Sequence, residues 1–389
     1  MKIAFFSDTY HPSVDGVVRS IDYYISELKS RGHEVKVFAP SPQNKQDEKD
    51  GVSYAGSIEF SPYPQYRIPY GIRKCVRDAI EFKPDIVHSH AMVVMGLAAR
   101  DAAKKANCPL VGTFHTSLPD AGHYVSGHEG VQMWFKDISW RYFRWLYRDF
   151  DALISPSKYM QNVLLQKNIE SHVLANPIDT SKFSPIKPDE YAQEWFASKK
   201  RNILFFGRIA KEKNLDFLLD VANSDEFKKS GMKIVIAGDG PYKKILEKKV
   251  KKYSLLEIVK FAGRVPEEHV ASFYSAADCS FFPSKFETQG MTALESLSCG
   301  TPVVALRGTA LEEVIEQKKT GQVCIEDAHS AFLALDFCTR NKKKMCANAR
   351  KSAMKYTIKK CTDGLLEIYK AAKRNKEKTK TRKEKHAKE

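Results

Sequence analysis

From Asn202 to Ala305 the chain keeps one rhythm, and that rhythm admits few folds. Short apolar runs at 203–206, 233–237, 259–261, 279–282 and 302–305 alternate with helices predicted over 214–223, 241–253, 267–276 and 291–298. Apolar runs this short, bounded by turn residues, suit strands buried on both faces, and helices between them suit a mostly parallel sheet. The first half has the same alternation. Ile3–Phe6 and Glu34–Ala39 read as strands around a helix from Val18 to Ser30 that stops near Gly32. Ile86–His88 and Leu110–Phe114 flank an Ala-rich helix, and Ala152–Ser155 and His172–Ala175 read as the last strands of this half. Residues 43–83 are rich in Pro, Tyr and Gly and are expected to be irregular, with one strand near Ser57–Phe60.

Composition changes near 180–200, where Pro185, Pro188 and Lys199-Lys200-Arg201 precede a fresh strand. The predicted architecture is therefore α/β, with an N-terminal domain over 1–185 and a C-terminal domain over 195–365. Two such domains in tandem are expected to face each other across a cleft, with strand ends pointing in. After Glu313 the pattern reads as helical and Lys-rich, and 366–389 as a helix end and a basic disordered tail, because almost no apolar residue follows Lys373.

The formal charge is +16, and residues 370–389 carry ten Lys or Arg against three Glu. The remainder is still basic enough to favour an anionic surface or substrate. Nucleic acid is the first class to weigh, yet no zinc-finger, helix-turn-helix or single-strand-binding pattern accompanies the charge. No apolar run approaches the roughly 18 residues of a membrane span, and the start reads as a strand ending in Asp8 rather than as a secretory signal. The eight cysteines lack CxxC or His-partnered metal spacing, so free thiols in a reducing compartment are expected.

The chemistry gathers at strand ends. The stretch from Phe281 to Gly300 runs from a strand into a polar loop carrying Glu287, then into a short helix carrying Glu295 and ending at Gly300. Unpaired N–H groups at such a helix mouth favour an anion. Arg208 and Lys213 leave another strand five residues apart, which suits two cations reaching a diphosphate at different depths. Ala237-Gly238-Asp239-Gly240-Pro241 permits a tight turn with backbone close to a ligand, although it is no dinucleotide fingerprint. His115 sits at the carboxyl edge of its strand. Each group alone is also what an ordinary solvated loop carries. Together they lack a nucleophile held beside a base and lack a metal-ligand cluster, which leaves electrostatic positioning of a phosphorylated leaving group.

With those residues in place, the chain resembles the retaining glycosyltransferases of family 4, the two-domain B fold, over roughly residues 1–370. The matching positions are Tyr10-His11-Pro12 through Gly16-Val17, Thr113-Phe114-His115, Gly207-Arg208 with Lys213, Gly238-Asp239-Gly240-Pro241, and Phe286-Glu287-Thr288-Gln289-Gly290 through Glu295. Thr-Gln-Gly after the first glutamate is similar to enzymes that glucosylate membrane diacylglycerols, where most of the family has Gly-Phe-Gly or Thr-Phe-Gly. The resemblance implies an N-terminal domain for the acceptor and a C-terminal one for the nucleotide sugar. It implies that Gly16 and Val17 offer backbone amides to the donor phosphate, and that Arg208 and Lys213 neutralise the departing diphosphate. Glu295 would hold the ribose, Glu287 a sugar 3- or 4-hydroxyl, and His115 the 6-hydroxyl, with Gly238, Gly240, Thr288, Gln289 and Gly290 completing the donor site. Glu287 is then a positioning group rather than a covalent nucleophile, and neither a bound cofactor nor a metal is implied.

The function expected from this is transfer of a hexose, glucose from UDP-glucose first, to a membrane lipid such as diacylglycerol. The alternatives are a GDP-mannose-dependent mannosyltransferase acting on a phosphoinositide or a polyprenyl-linked saccharide and, more remotely, a non-catalytic nucleic-acid-binding protein. A cytoplasmic chain held peripherally on an anionic membrane face is expected. Its contacts would be Arg141, Arg144 and Arg148, which share one face of a Trp-rich helix, while Ile138, Tyr142 and Trp145 lie along another. A second patch would be Arg67, Arg73, Lys74 and Arg77 among Tyr66, Ile68, Tyr70 and Ile72. The competing reading makes Trp134, Trp140 and Trp145 core residues.

Overall fold

Apolar runs become strands buried on both faces because alternate residues face opposite layers of helix. In the first strand, β1 (Lys2–Phe6), Ile3 and Phe5 enter one core with Ile21, Leu28 and Ile154, while Ala4 and Phe6 enter another with Met95, Ala99 and Ala102. The computed structural model describes residues 1–13, 15–42, 48–49, 51–59, 67–115, 128–197 and 200–386. It divides into two units, Met1–Pro177 with Ile358–Glu389, and Ile178–Thr357.

The first unit continues with β2 (Glu34–Pro40), β3 (Glu48–Lys49), β4 (Val52–Glu59), β5 (Arg67–Tyr70), β6 (Ile86–Ser89), β7 (Leu110–Thr113), β8 (Ala152–Ser155) and β9 (His172–Val173). Their order is β3-β4-β2-β1-β6-β7-β8-β9, with β5 also on β4, and only β3 and β5 run antiparallel. Ile3 lies in register with Val35 on one side and Ile86 on the other, so the order reverses between β1 and β6. The second unit holds β10 (Asn202–Phe206), β11 (Lys233–Ala237), β12 (Val259–Gly263), β13 (Cys279–Phe282), β14 (Val303–Leu306) and β15 (Gly321–Cys324), all parallel. Their order, β12-β11-β10-β13-β14-β15, is the doubly wound arrangement, and Ile203 stands between Ile234 and Cys279 at its reversal.

Several expectations are redrawn. The region 43–83 is ordered where it is described, holding β3, β4, β5 and a helix, Arg73–Phe82; Phe60, Tyr66 and Lys199 lie outside the described residues. After Glu313 comes β15 before the long helix Ala328–Ala353, since Gly-Gln-Val-Cys carries too little apolar character to announce a strand. Gly321 is needed there because a Cβ would sit 1.9 Å from the Val303 carbonyl oxygen.

The division at 195–365 with a tail of 366–389 also changes. The chain enters the second unit at Ile178 and leaves it after Thr357. The helix Ile358–His386 then returns to the first unit and continues through most of the segment expected to be disordered. Cys361, Leu365, Tyr369 and Ala372 recur on one face and pack against the first core, and Lys, Arg and Glu elsewhere extend the helix because they are good helix formers. Leu365 has no exposed surface. Leu365→Ala is therefore expected to cost about 2–5 kcal/mol in urea unfolding followed by circular dichroism. Lys370→Ala on the outer face should stay within about 0.5 kcal/mol. Equal effects would detach the terminal helix from this core.

Candidate active site

In the second unit the expected residues converge on the sheet reversal. Gly207 leaves β10 with φ +150°, Arg208 follows partly buried, and a single 3-10 turn, Lys211–Lys213, aims Lys213 at the neighbouring loop. Lys213 Nζ lies 2.6 Å from Glu287 Oε1, with the two side chains 24% and 16% exposed. Lys213 follows β10 and Glu287 follows β13, so the pair spans the two strands between which the order reverses. Asn214 and Lys285 both reach Glu326 Oε1, at 3.0 and 2.7 Å, and tie these loops to the segment after β15.

The helix Met291–Ser298 starts four residues beyond Glu287. Gly290 precedes it at φ +86°, and a Cβ there would meet Leu311 Cδ2 at 2.0 Å. Thr288 is partly buried, while Gln289 and Glu295 are almost wholly buried. Glu295 Oε2 accepts from the Tyr274 hydroxyl at 2.9 Å. Gly238 and Gly240 make a close approach within the protein itself. Cβ atoms there would sit 1.9 Å from the Gly207 carbonyl and 2.3 Å from that of Ile209, so these glycines let the loops after β10 and β11 pack backbone to backbone. Gly207 and Ile209 N–H donate to Ala237 and Asp239 carbonyls across that contact.

The first unit repeats the arrangement at its own reversal. His115 follows β7, and its Nε2 is 2.8 Å from Nδ1 of His90, which follows β6. His88 Nδ1 meets the Tyr369 hydroxyl at 2.7 Å and its Nε2 meets Thr113 Oγ1 at 2.8 Å. Asp8, after β1, accepts from the N–H groups of Met92, Val93 and Met95. Gly16 opens the helix Gly16–Ser30, but Asp15 Oδ1 already accepts from the Val17 and Val18 N–H groups. The Val17 amide expected to face a phosphate is thus committed to the cap.

The basic residues separate. Lys74 pairs with Asp78 at 2.8 Å, Arg67 donates to Ser57, and Arg77 lies within 4 Å of Asp78 and Glu81, while Arg73 and Arg77 are both exposed. On the helix Glu129–Tyr147, Trp140 is core whereas Trp134 and Trp145 are 63% and 44% exposed, so the core reading holds for Trp140 alone. Arg141 and Arg144 are exposed, and Arg148 turns to Asp149 at 3.5 Å. All eight cysteines are free thiols. Among the described residues no helix is long and apolar enough to cross a membrane, and no group of three His, Cys, Asp or Glu side chains is placed to hold a metal ion.

Sequence reasoning missed Tyr274, Glu326 and Ser284, whereas His90, with His88, already reads as a less specific candidate at its strand end. Ser284 is buried in the loop after β13, and its hydroxyl has no partner among the described residues. Tyr274 sits in a helix where an aromatic reads as core.

Burial pushes His88 and His115 down to about 3 and His90 well down, so all three are neutral at physiological pH. In the unfolded chain each titrates near 6.5, so between about pH 6.5 and 3 the unfolded state binds more protons. Their contribution to stability is full above that window and falls as pH drops through it. Proton NMR of the imidazoles should show no titration of these three between pH 8 and 5, with a falling unfolding midpoint over the same acidification. A midpoint above pH 5 for any of them would contradict the burial argument.

Comparison with known proteins places the chain in a family. The profile of Glycosyltransferase Family 4 covers residues 14–182, and that of Glycosyl transferases group 1 covers 187–356. An alpha-monoglucosyldiacylglycerol synthase of Streptococcus pneumoniae is 31% identical over 82% of this chain and 74% of its own length. A GDP-mannose-dependent alpha-mannosyltransferase of Mycolicibacterium smegmatis is 26% identical over 95% and 97%. Among solved structures, sucrose-phosphate synthase from Thermosynechococcus elongatus superposes with a TM-score of 0.78 at 19% identity, covering 95% of this chain and 98% of that one. Anabaena HepE in complex with UDP and glucose gives 0.76 at 18%, covering 95% and 100%. The chain belongs to glycosyltransferase family 4, has the two-domain GT-B fold, and is a nucleotide-sugar-dependent hexosyltransferase.

Proposed function

We propose that the chain is a retaining transferase that moves glucose from UDP-glucose to diacylglycerol or a similar lipid alcohol, working peripherally at an anionic membrane face. The observation that carries the chemical part is the Lys213–Glu287 pair at the sheet reversal of the second unit. The identity to an alpha-monoglucosyldiacylglycerol synthase supports the choice of donor and acceptor.

In this reading Arg208 and Lys213 stabilise the negative charge that grows on the diphosphate as the sugar C1–oxygen bond breaks. Lys213 also holds Glu287, which accepts a hydrogen bond from a sugar hydroxyl. The acceptor oxygen bonds to C1 on the face the leaving group vacates, and its proton passes to the departing phosphate oxygen. Configuration is thereby kept without a covalent enzyme intermediate. Glu295, fixed through one oxygen by Tyr274, takes the ribose hydroxyls; Thr288, Gln289 and Gly290 shape the loop above it. Neutral His115 takes the sugar 6-hydroxyl, and Gly16 offers its backbone to the donor phosphate.

A second reading, transfer of mannose from GDP-mannose to a phosphoinositide or polyprenyl-linked saccharide, draws on the mannosyltransferase match across nearly the whole chain. Purified protein offered each donor with diacylglycerol or phosphatidylinositol in mixed micelles separates the two. An α-glucosyl-diacylglycerol product from UDP-glucose is expected; a mannosylated lipid formed from GDP-mannose alone overturns the first reading. Arg208→Ala and Lys213→Ala should each lower turnover about 10²-fold or more at saturating donor. Turnover near that of the parent protein would remove the residue from the mechanism.

A further inference from the structure

One cluster of charge in the first unit takes no part in the donor chemistry. On the helix Glu129–Tyr147, Asp137, Trp140, Arg141 and Arg144 share a face at spacings of three and four. Gln166, Lys167 and Asn168, which follow the helix Lys158–Leu165, close the other side of a cavity of about 350 Å³ that opens to solvent. Asn168 takes φ +58°, and backbone N–H groups of Lys167, Asn168 and Ile169 turn back onto the carbonyls of Leu164 and Leu165, so the helix end is already satisfied.

Three cations and one carboxylate therefore ring the cavity, a net of two positive charges. Among the described residues none of these four side chains forms an ion pair or side-chain hydrogen bond. Lys167 Nζ lies 5.8 Å over the Trp140 ring, and the buried indole N–H of Trp140 has no partner among the described residues. Clustered, uncompensated cations repel one another unless an anion joins them. A phosphate monoester carries about −1.5 to −2 at neutral pH and presents three oxygens to guanidinium forks. The volume lies within the roughly 300–1,000 Å³ of small-molecule sites, which leaves space for the group that bears the phosphate.

We propose that this cavity binds one phosphate monoester per chain through Arg141, Arg144 and Lys167, independently of the nucleotide-sugar site. The monoester is either a lipid headgroup or a soluble ester, and the test separates these sources. Calorimetry with glycerol 3-phosphate, without donor, should give saturable 1:1 binding. Arg144→Gln or Lys167→Gln should weaken it tenfold or more, and Asp137→Asn should tighten it. Arg148→Gln removes the same charge at the end of the same helix, outside the cavity, and should change it less than twofold, and Lys213→Ala should leave it unchanged. Loss in Arg148→Gln equal to that in Arg144→Gln would mean a diffuse basic surface and would sink the proposal. So would loss in Lys213→Ala alone, which would put the ester at the donor loops, or no saturable binding at all. Sedimentation with phosphatidylcholine vesicles then assigns the source. Retention by added phosphatidic acid above phosphatidylglycerol, abolished by Arg144→Gln, identifies a lipid headgroup; glycerol 3-phosphate binding without that preference identifies a soluble ester.

Discussion

The Lys213–Glu287 ion pair joins the loops of the two strands between which the second sheet changes direction, and the rest of that unit is arranged to hold it there. At such a reversal the connections leave to opposite faces of the sheet, so a crevice opens that neither helix layer fills. Two largely buried charges in a crevice are costly to leave unpaired, and each fixes the other. The loops beneath are set by backbone contact. Gly238 and Gly240 lie against Gly207 and Ile209 so closely that any side chain would push the Arg208 loop away. Asn214, Lys285 and Glu326 fasten the same loops to the segment after β15. The cations reach their places through strand register and glycine packing before any ligand is considered.

The first unit applies the same constraint to neutral groups. Its reversal carries histidines whose burial keeps them uncharged, and His90 and His115 share a hydrogen bond in which one ring donates and the other accepts. Their support comes from the far end of the chain. Tyr369 on the returning helix contacts His88, whose ring lies 4.1 Å from that of His90. A segment remote in sequence is thereby part of the platform beneath His115. The asymmetry between the units suits their proposed tasks: fixed charge where a diphosphate departs, and neutral hydrogen-bonding groups where a sugar hydroxyl is held.

Much of this was legible in the sequence. Strands at 233–237 and 279–282 and the helix at 291–298 coincide with their predicted spans, because each is a short apolar run or a compact helix punctuated by Gly or Pro. The spacing of Glu287 and Glu295 and the Arg208–Lys213 pair also stood out. What was illegible depends on tertiary contact. β15 is a strand because Gly321 lets it lie against β14, and the terminal helix joins the first unit through four residues diluted among charges. Lys74 reads as a surface cation in the sequence but pairs with Asp78, and Tyr274, although buried in the core, turns its hydroxyl to Glu295. Charge pairing and hydroxyl partners are properties of side chains far apart in sequence, which periodicity does not encode.

The most direct measurement is a calorimetric titration of UDP, without sugar, into the parent protein and into Glu295→Gln and Glu287→Gln. UDP should bind the parent protein, bind Glu295→Gln more weakly because a ribose diol prefers an ionised acceptor, and bind Glu287→Gln with nearly unchanged affinity. Equal losses in both variants would contradict the division of roles between the two glutamates, and no binding of either UDP or GDP by the parent protein would contradict the donor site itself.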